Sequence, residues 1–218
     1  MWDRTSREFF DPATVQVESY KLPPAFTFSS SELISLAGAP ENSRILCEDV
    51  GGVLDLTVIN ETLFVNPFRL SLVETSRNER VAFAHFVDVR GRFQKKGIAA
   101  RMLWSSARAC SKFGIGTIRS FGLSTTGQSS DAGKDWSGAV AAVALGFDAN
   151  LPDCVLHELP SSLRESRSIR ELVRTPEGAS WWKANPTALE VFFDTSQRSK
   201  SMQFLGTYIR NNKIRMFQ

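Results

Sequence analysis

The sequence predicts an α+β fold, an α/β sandwich with a mixed central sheet, and three observations predict it. Alternating apolar and polar residues between Ser43 and Val73 read as an antiparallel meander. The stretch from Val81 to Phe113 passes from a strand pattern through a glycine-containing basic loop to a helical pattern. From Pro160 onward the apolar residues take helical spacing and form a helical C-terminal extension.

Along the chain, residues 1–30 are mixed, and Leu22-Pro23-Pro24 breaks any helix in favour of an extended crossing. Ser29-Ser30-Ser31 offers hydroxyl caps for a short helix over Glu32–Ala37, which Gly38-Ala39-Pro40 ends. Ser43–Glu48 reads as a first short strand and Val53–Ile59 as a second, with Asn60-Glu61 as the turn. Leu63–Val73 is a third run, and Asn66-Pro67 inside it implies a bulge or an edge. Ser76–Glu79 forms the next turn before a central strand, Val81–Val89.

The helix that follows places Ile98, Met102, Leu103, Ala107 and Cys110 on one side, and Phe113-Gly114 stops it. Thr117–Leu123 is a strand parallel to the central one, reached by a crossover that is right-handed by default. Ser124–Asp135 is a polar, glycine-bearing loop. Asp153–Leu159 reads as a strand, Ser161 to about Val173 as a helix, Thr175–Trp182 as a short helix, and Thr195–Asn211 as a last helix with Met202, Leu205 and Ile209 inward. Trp181-Trp182 reads as core.

Composition sets the bounds. The 218 residues are 42% apolar and 22% charged, ordinary values for a globular chain that is not disordered overall. No apolar run approaches the ~20 residues of a membrane span, and Met1-Trp2-Asp3-Arg4 does not read as a signal peptide. Cys47, Cys110 and Cys154 are odd in number and lack metal-ligand spacing, and His85 and His157 are the remaining classical ligands, so no metal site is expected. The cytoplasm is the expected location. Net charge is +3, but residues 161–218 hold ten Lys and Arg against five acids, +5, leaving −2 elsewhere. A solvated helical surface accounts for that excess, and nucleic acid is not the expected partner because exposed aromatics are not interleaved with the cations.

The loop between the central strand and its helix carries the clearest chemistry. Backbone N–H groups at a helix start lack partners and the helix dipole adds partial positive charge, so an anion is favoured beside Lys95. Gly97 and Ala99 carry little side chain and allow a phosphate to approach the backbone.

Gln94-Lys95-Lys96-Gly97-Ile98-Ala99 resembles the Q/R-x-x-G-x-G/A signature of the GNAT superfamily of N-acetyltransferases, with Val87 and Val89 matching its apolar positions on the preceding strand. Trp136–Phe147 resembles the second helix of that superfamily, which ends in a Gly-Phe pair, here Gly146-Phe147. The resemblance implies a mixed sheet whose two central parallel strands splay apart, with the acyl-pantetheine arm of acetyl-CoA in the gap. It implies Val87, Val89, Gln94, Lys95, Lys96, Gly97, Ile98 and Ala99 as cofactor-binding residues. It divides the chain into an acetyltransferase-like domain, 1–159, and a helical extension, 160–218, packed on the same domain. One departure stands out: where many members have a tyrosine that protonates the CoA thiolate, this chain has Ala142.

The activity implied is N-acetyl transfer from acetyl-CoA to an amine by direct attack in a ternary complex. Candidate catalytic residues are Asp88 and Glu74 as bases near the acceptor, and Ser137 as a proton donor in place of the tyrosine; His85, Ser124 and Asp135 are further candidates. Backbone N–H groups near Val87 to Val89 can polarise the thioester carbonyl. Expected partners are a CoA thioester and a small-molecule or peptide amine, with a second copy of the chain as a further candidate; a membrane is not expected. The alternative is a catalytically inactive acetyltransferase-like domain serving as a CoA-binding or protein-interaction module. Ala142 and the long extension favour the alternative, and the intact loop favours the enzyme.

Overall fold

The computed structural model describes residues 9–19, 22–85, 87–120, 138–185 and 187–214. Seven strands pair in chain order into one open sheet: β1 (Gln16–Ser19), β2 (Arg44–Val50), β3 (Val53–Ile59), β4 (Phe68–Glu74), β5 (Arg80–Ala84), β6 (Ile115–Ser120) and β7 (Val191–Asp194). β1–β2 and β5–β6 are parallel and the other neighbours antiparallel. The described residues also form seven α-helices. They are α1 (Ser30–Ala37), α2 (Ile98–Lys112), α3 (Gly138–Ala144), α4 (Asp153–Glu158), α5 (Ile169–Leu172), α6 (Pro176–Ala184) and α7 (Lys200–Asn211). The α+β class and the mixed sheet follow the sequence expectation.

Alternation decides which face of the sheet is covered. Leu54, Leu56 and Val58 on β3 and Phe68, Leu70 and Leu72 on β4 are buried, while the residues between them are more exposed. The register carries one buried row across five strands, Leu54–Leu72–Ala82–Ile118–Phe193. Its neighbour row, Asp55–Ser71–Phe83–Arg119–Phe192, lies on the other face. There Ser71 donates a hydrogen bond to the Asp55 carboxylate, and Arg119 pairs with Glu190 at 3.3 Å.

Helix α1 forms where its capping box predicts. The Ser29 side chain accepts from Glu32 N while the Ser29 backbone N–H donates to Glu32 Oε2 at 2.9 Å. It packs along α2, with Ser105 Oγ donating to Ser35 O at 3.2 Å and Lys112 Nζ 3.7 Å from Glu32 Oε1. The capping contacts with Ser29, helped by Lys112, hold the Glu32 carboxyl below its ordinary value. Helix α2 buries Ile98, Met102, Ala107 and Cys110 as its spacing predicts, and Leu103 packs half-buried against the same core.

Four sequence expectations are corrected. The run expected as a strand over Asp153–Leu159 is instead the helix Asp153–Glu158 with Leu159 as its C-cap: Val155 and Leu159, four apart, are buried, and Val155 and Leu156 donate to Pro152 O at 2.9 and 3.1 Å. The helix expected over Ser161–Val173 breaks into a 3₁₀ turn (Ser161–Leu163) and short α5, because Ser168 caps Glu171 N and Asn150 bridges Ser168. The extension is not all helical. Val191 and Phe193 point into the core and make β7, which lies between β6 and Asp148, where Asp148 N–H donates to Phe192 O (3.0 Å) and Phe192 N–H to Asp148 O (2.8 Å). The last helix accordingly starts at Lys200, capped by Ser199. Residues 16–19, too mixed to assign from sequence, add β1 at the edge.

The Gly146-Phe147 pair ends α3 against the last helix. Gly146 has φ +101°, and a β-carbon there would collide with the Ser201 backbone carbonyl, so only glycine permits this approach. Phe147 sets its ring edge-on to Phe193 at 5.4 Å. Arg170 fastens the turn: its Nη2 donates to Gly146 O at 2.7 Å and its Nη1 sits 3.4 Å from Asp148 Oδ2. Trp182 is fully buried, which settles that residue as core.

Cys47 and Cys110 are buried and Cys154 exposed. Burial pushes the Cys47 thiol up to about 11 and the Cys110 thiol up to about 12 from an ordinary value of 9.0. Above pH 9 the unfolded thiols lose protons that the folded ones keep, so stability is present below pH 9 and is lost as pH rises toward 11–12. Native protein at pH 8 should therefore react with a thiol reagent at one cysteine, and at all three after denaturation; prompt native labelling of Cys110 would contradict the packing. Urea midpoints should fall steadily above pH 9.

Candidate functional site

The site begins where β5 stops pairing. Among the described residues the last pair of the parallel ladder with β6 is Phe83–Arg119. Beyond it the chain leans the other way: Val89 bridges Phe64, with Val65 N–H donating to Asp88 O and Arg90 N–H to Leu63 O, both at 2.9 Å. The expected run Leu63–Val73 is thus two pieces split at Pro67, the first serving this bridge and the second forming β4. In such a bridge the N–H and C=O of Val89 face away from Phe64. That C=O accepts from Gln94 Nε2 at 3.0 Å, and the Val89 N–H makes no hydrogen bond to a described residue.

A tight loop then turns the chain into α2. Residues Gly91–Phe93 form a 3₁₀ turn, with Phe93 N–H on Arg90 O (2.8 Å) and Gln94 N–H on Gly91 O (3.1 Å). Lys95 has φ +61° and Gly97 φ +75°, so two left-handed residues flank Lys96. The next hydrogen bond in the ladder is Arg101 N–H to Gly97 O, 3.0 Å. Between Gln94 and Arg101 six consecutive backbone N–H groups, Lys95 to Ala100, find no acceptor among the described residues.

Nothing in the local sequence compensates for those donors. Side-chain oxygens of Ser29, Ser168, Thr175 and Ser199 cap α1, α5, α6 and α7. At α2, the longest described helix, Gly97 supplies no side-chain cap and no acid lies in the first turn. Seven Lys and Arg and no Asp or Glu lie between Val89 and Phe113. Cations at a helix N-terminus oppose the helix dipole at ~0.3–1 kcal/mol each. The start of α2 thus combines acceptor-free backbone donors with an acid-free, cation-rich sequence, an arrangement whose complement is an anion.

Aromatic rings steady the cations. Lys96 Nζ lies 5.3 Å from the Phe93 ring centre and 5.9 Å from that of Phe9, and those rings meet edge-on at 5.9 Å. The Arg92 guanidinium sits 4.8 Å from Phe93, and Arg90 Nε donates to Glu61 O at 2.9 Å. Arg90, Gly91, Arg92 and Glu61 line a concavity of about 540 Å³ beside the loop.

The structure therefore gathers Val87, Val89 and Gln94 to Ala99, all named from sequence, around one loop. Asp88, half-buried, stands at the entry to that loop. Glu74 does not join it: it lies exposed beside Arg80, 3.9 Å away, at the start of β5 and so at the far end from the loop. His85 is exposed just past β5. Ser137, Ser124 and Asp135 lie outside the described residues. Ala142 is fully buried. Sequence reasoning missed Arg90, Arg92 and Phe93, which the acid-free run from 89 to 113 could have flagged. It also missed Phe9 and Ile214, for which long-range packing leaves no local signal.

Among the described residues no group of three or more His, Cys, Asp or Glu is placed to hold a metal, and no helix is long and apolar enough to cross a membrane. No protein-family model, curated protein or solved structure matches this chain.

The Gln94 clamp is directly testable. Replacing Gln94 with Ala should cost about 1 kcal/mol in urea unfolding by loss of the Val89 bond; an unchanged midpoint would show the loop to be held by other means.

Proposed function

We propose that this chain is an acyl-CoA-dependent N-acetyltransferase of the GNAT kind, with the Lys95–Ala100 loop binding the pyrophosphate of acetyl-CoA. The observation that carries the reading is the set of six unpartnered backbone donors at an uncapped, acid-free helix start. A pyrophosphate offers several acceptor oxygens and negative charge in one compact group, which is the complement such a start requires. The strand–loop–helix–strand order with β5 parallel to β6 suits it, and an extended acyl-pantetheine arm running past β5 would find the Val89 N–H.

The residues of this chain would divide the work as follows. Lys95 to Ala100 hold the phosphates. The Val89 N–H polarises the thioester carbonyl as an oxyanion-type donor. The amine attacks that carbonyl, its proton passes to a base, and the CoA thiolate leaves. Asp88 is the candidate base on position, since it neighbours Val89 at the loop entry; Glu74, at the end of β4 opposite the first residue of β5, stands too far off to serve the same carbonyl.

One observation favours the second reading, a CoA-binding or interaction module without turnover. Ala142 is sealed in the core, so the position where the resemblance places a thiolate-protonating tyrosine supplies packing instead. Absence of one general acid typically lowers a rate by ~10²–10⁴, which leaves transfer slow rather than abolished.

Saturating acetyl-CoA, at a hundredfold excess over its Kd, should raise the melting temperature by roughly 5–10 °C. Gly97→Glu, whose side chain would collide with Ile214 at a left-handed position and so distort the loop, should remove the shift. No shift in the wild type would rule out the cofactor assignment. With binding seen, acetyl transfer to a panel of amines separates enzyme from module.

A further inference from the structure

The uncapped start of α2 is held from outside the loop, and the segment that holds it comes from the last described residues of the chain. Helix α7 ends at Asn211 in a Schellman stop: Lys213 N–H donates to Arg210 O (3.0 Å) and Ile214 N–H to Ile209 O (2.9 Å), with Lys213 left-handed at φ +54°. That stop folds the chain back and directs Ile214 at Gly97. A β-carbon on Gly97 would stand 2.8 Å from both Cδ1 and Cγ1 of Ile214 and 3.1 Å from its Cγ2. Ile214 thus fills the space any side chain at position 97 would need. From the other terminus Phe9, its carbonyl fixed by Glu41 N–H at 2.8 Å, packs edge-on against Phe93 and lies under Lys96.

We propose that Ile214 is a positioning residue of the anion loop, pressing Gly97 into the left-handed conformation that aims the Lys95–Ala100 donors at one point. The inference rests on the acetyl-CoA reading, because the loop has to be aimed only if a phosphate-bearing ligand is to be met there. Two left-handed residues and a cluster of like charges give the free loop many alternatives, and a fixed apolar contact removes them before the ligand arrives. Ile214 touches no reacting atom; it acts through Gly97.

Its test is a cycle of variants of the full chain, titrated calorimetrically with acetyl-CoA and separately with inorganic pyrophosphate. Ile214→Ala should weaken acetyl-CoA binding about tenfold, as lost preorganisation does, and weaken pyrophosphate in proportion, while Ile214→Val restores most of both. Gly97→Ala should weaken binding in the wild-type background and weaken it less when Ile214 is already Ala, because the opposing side chain is gone. A wild type that binds while Ile214→Ala binds equally, or a Gly97→Ala effect of the same size in both backgrounds, overturns the positioning role alone. A wild type that binds neither probe overturns the acetyl-CoA reading and this one with it.

Discussion

Six backbone N–H groups at and just before the start of α2, without acceptors among the described residues, form the constraint on which the rest of the site depends. A fifteen-residue helix buried against β6 cannot unwind to satisfy them, since its apolar face, Ile98 through Cys110, is committed to the core. Burial of each large side chain on that face contributes ~1.5–3 kcal/mol, which exceeds the fraction of a kcal/mol each uncompensated charge costs at the helix end. Packing therefore wins, and the donors stay without acceptors among the described residues. Lys95 and Lys96 add to the field instead of relieving it.

The remainder of the molecule can be understood as the frame that keeps this start in place. The buried row from Leu54 to Phe193 fixes β5 beside β6, so that the chain leaving β5 must bend toward Leu63–Val65. Gly146, Asp148 and Arg170 lock α3, β7 and α5 into one corner through a largely buried ion pair and a carbonyl contact. The last quarter of the chain, after residue 160, contributes β7 to the same sheet and Ile214 to the loop, so it is structural to the site as well as to the fold.

The sequence made visible whatever is governed by local pattern. The alternation of β3 and β4, the capping box at Ser29 and the apolar stripe of α2 could all be read directly, and so could the glycine loop from Gln94 to Ala99. What escaped depends on partners remote in the chain. Val191-Phe192-Phe193-Asp194 is a strand because β6 and Asp148 are there to pair with it. Residues 153–159 are too short for period alone to distinguish strand from helix, and Pro152 with Asp153 at the start decided it. Ile214 opposite Gly97 joins residues more than a hundred apart, and no window of sequence contains both.

The chemistry is less complete than the binding frame. Asp88 is placed beside the Val89 donor, Glu74 is not, and Ala142 is core, so the proposed binding role has more support in the structure than the proposed transfer step. The central claim is that the helix start receives the phosphates, and backbone amide shifts followed through an acetyl-CoA titration measure it most directly. The account predicts the largest shifts at Lys95 to Ala100 with a smaller one at Val89; shifts concentrated on another surface, or none at saturating ligand, would contradict it.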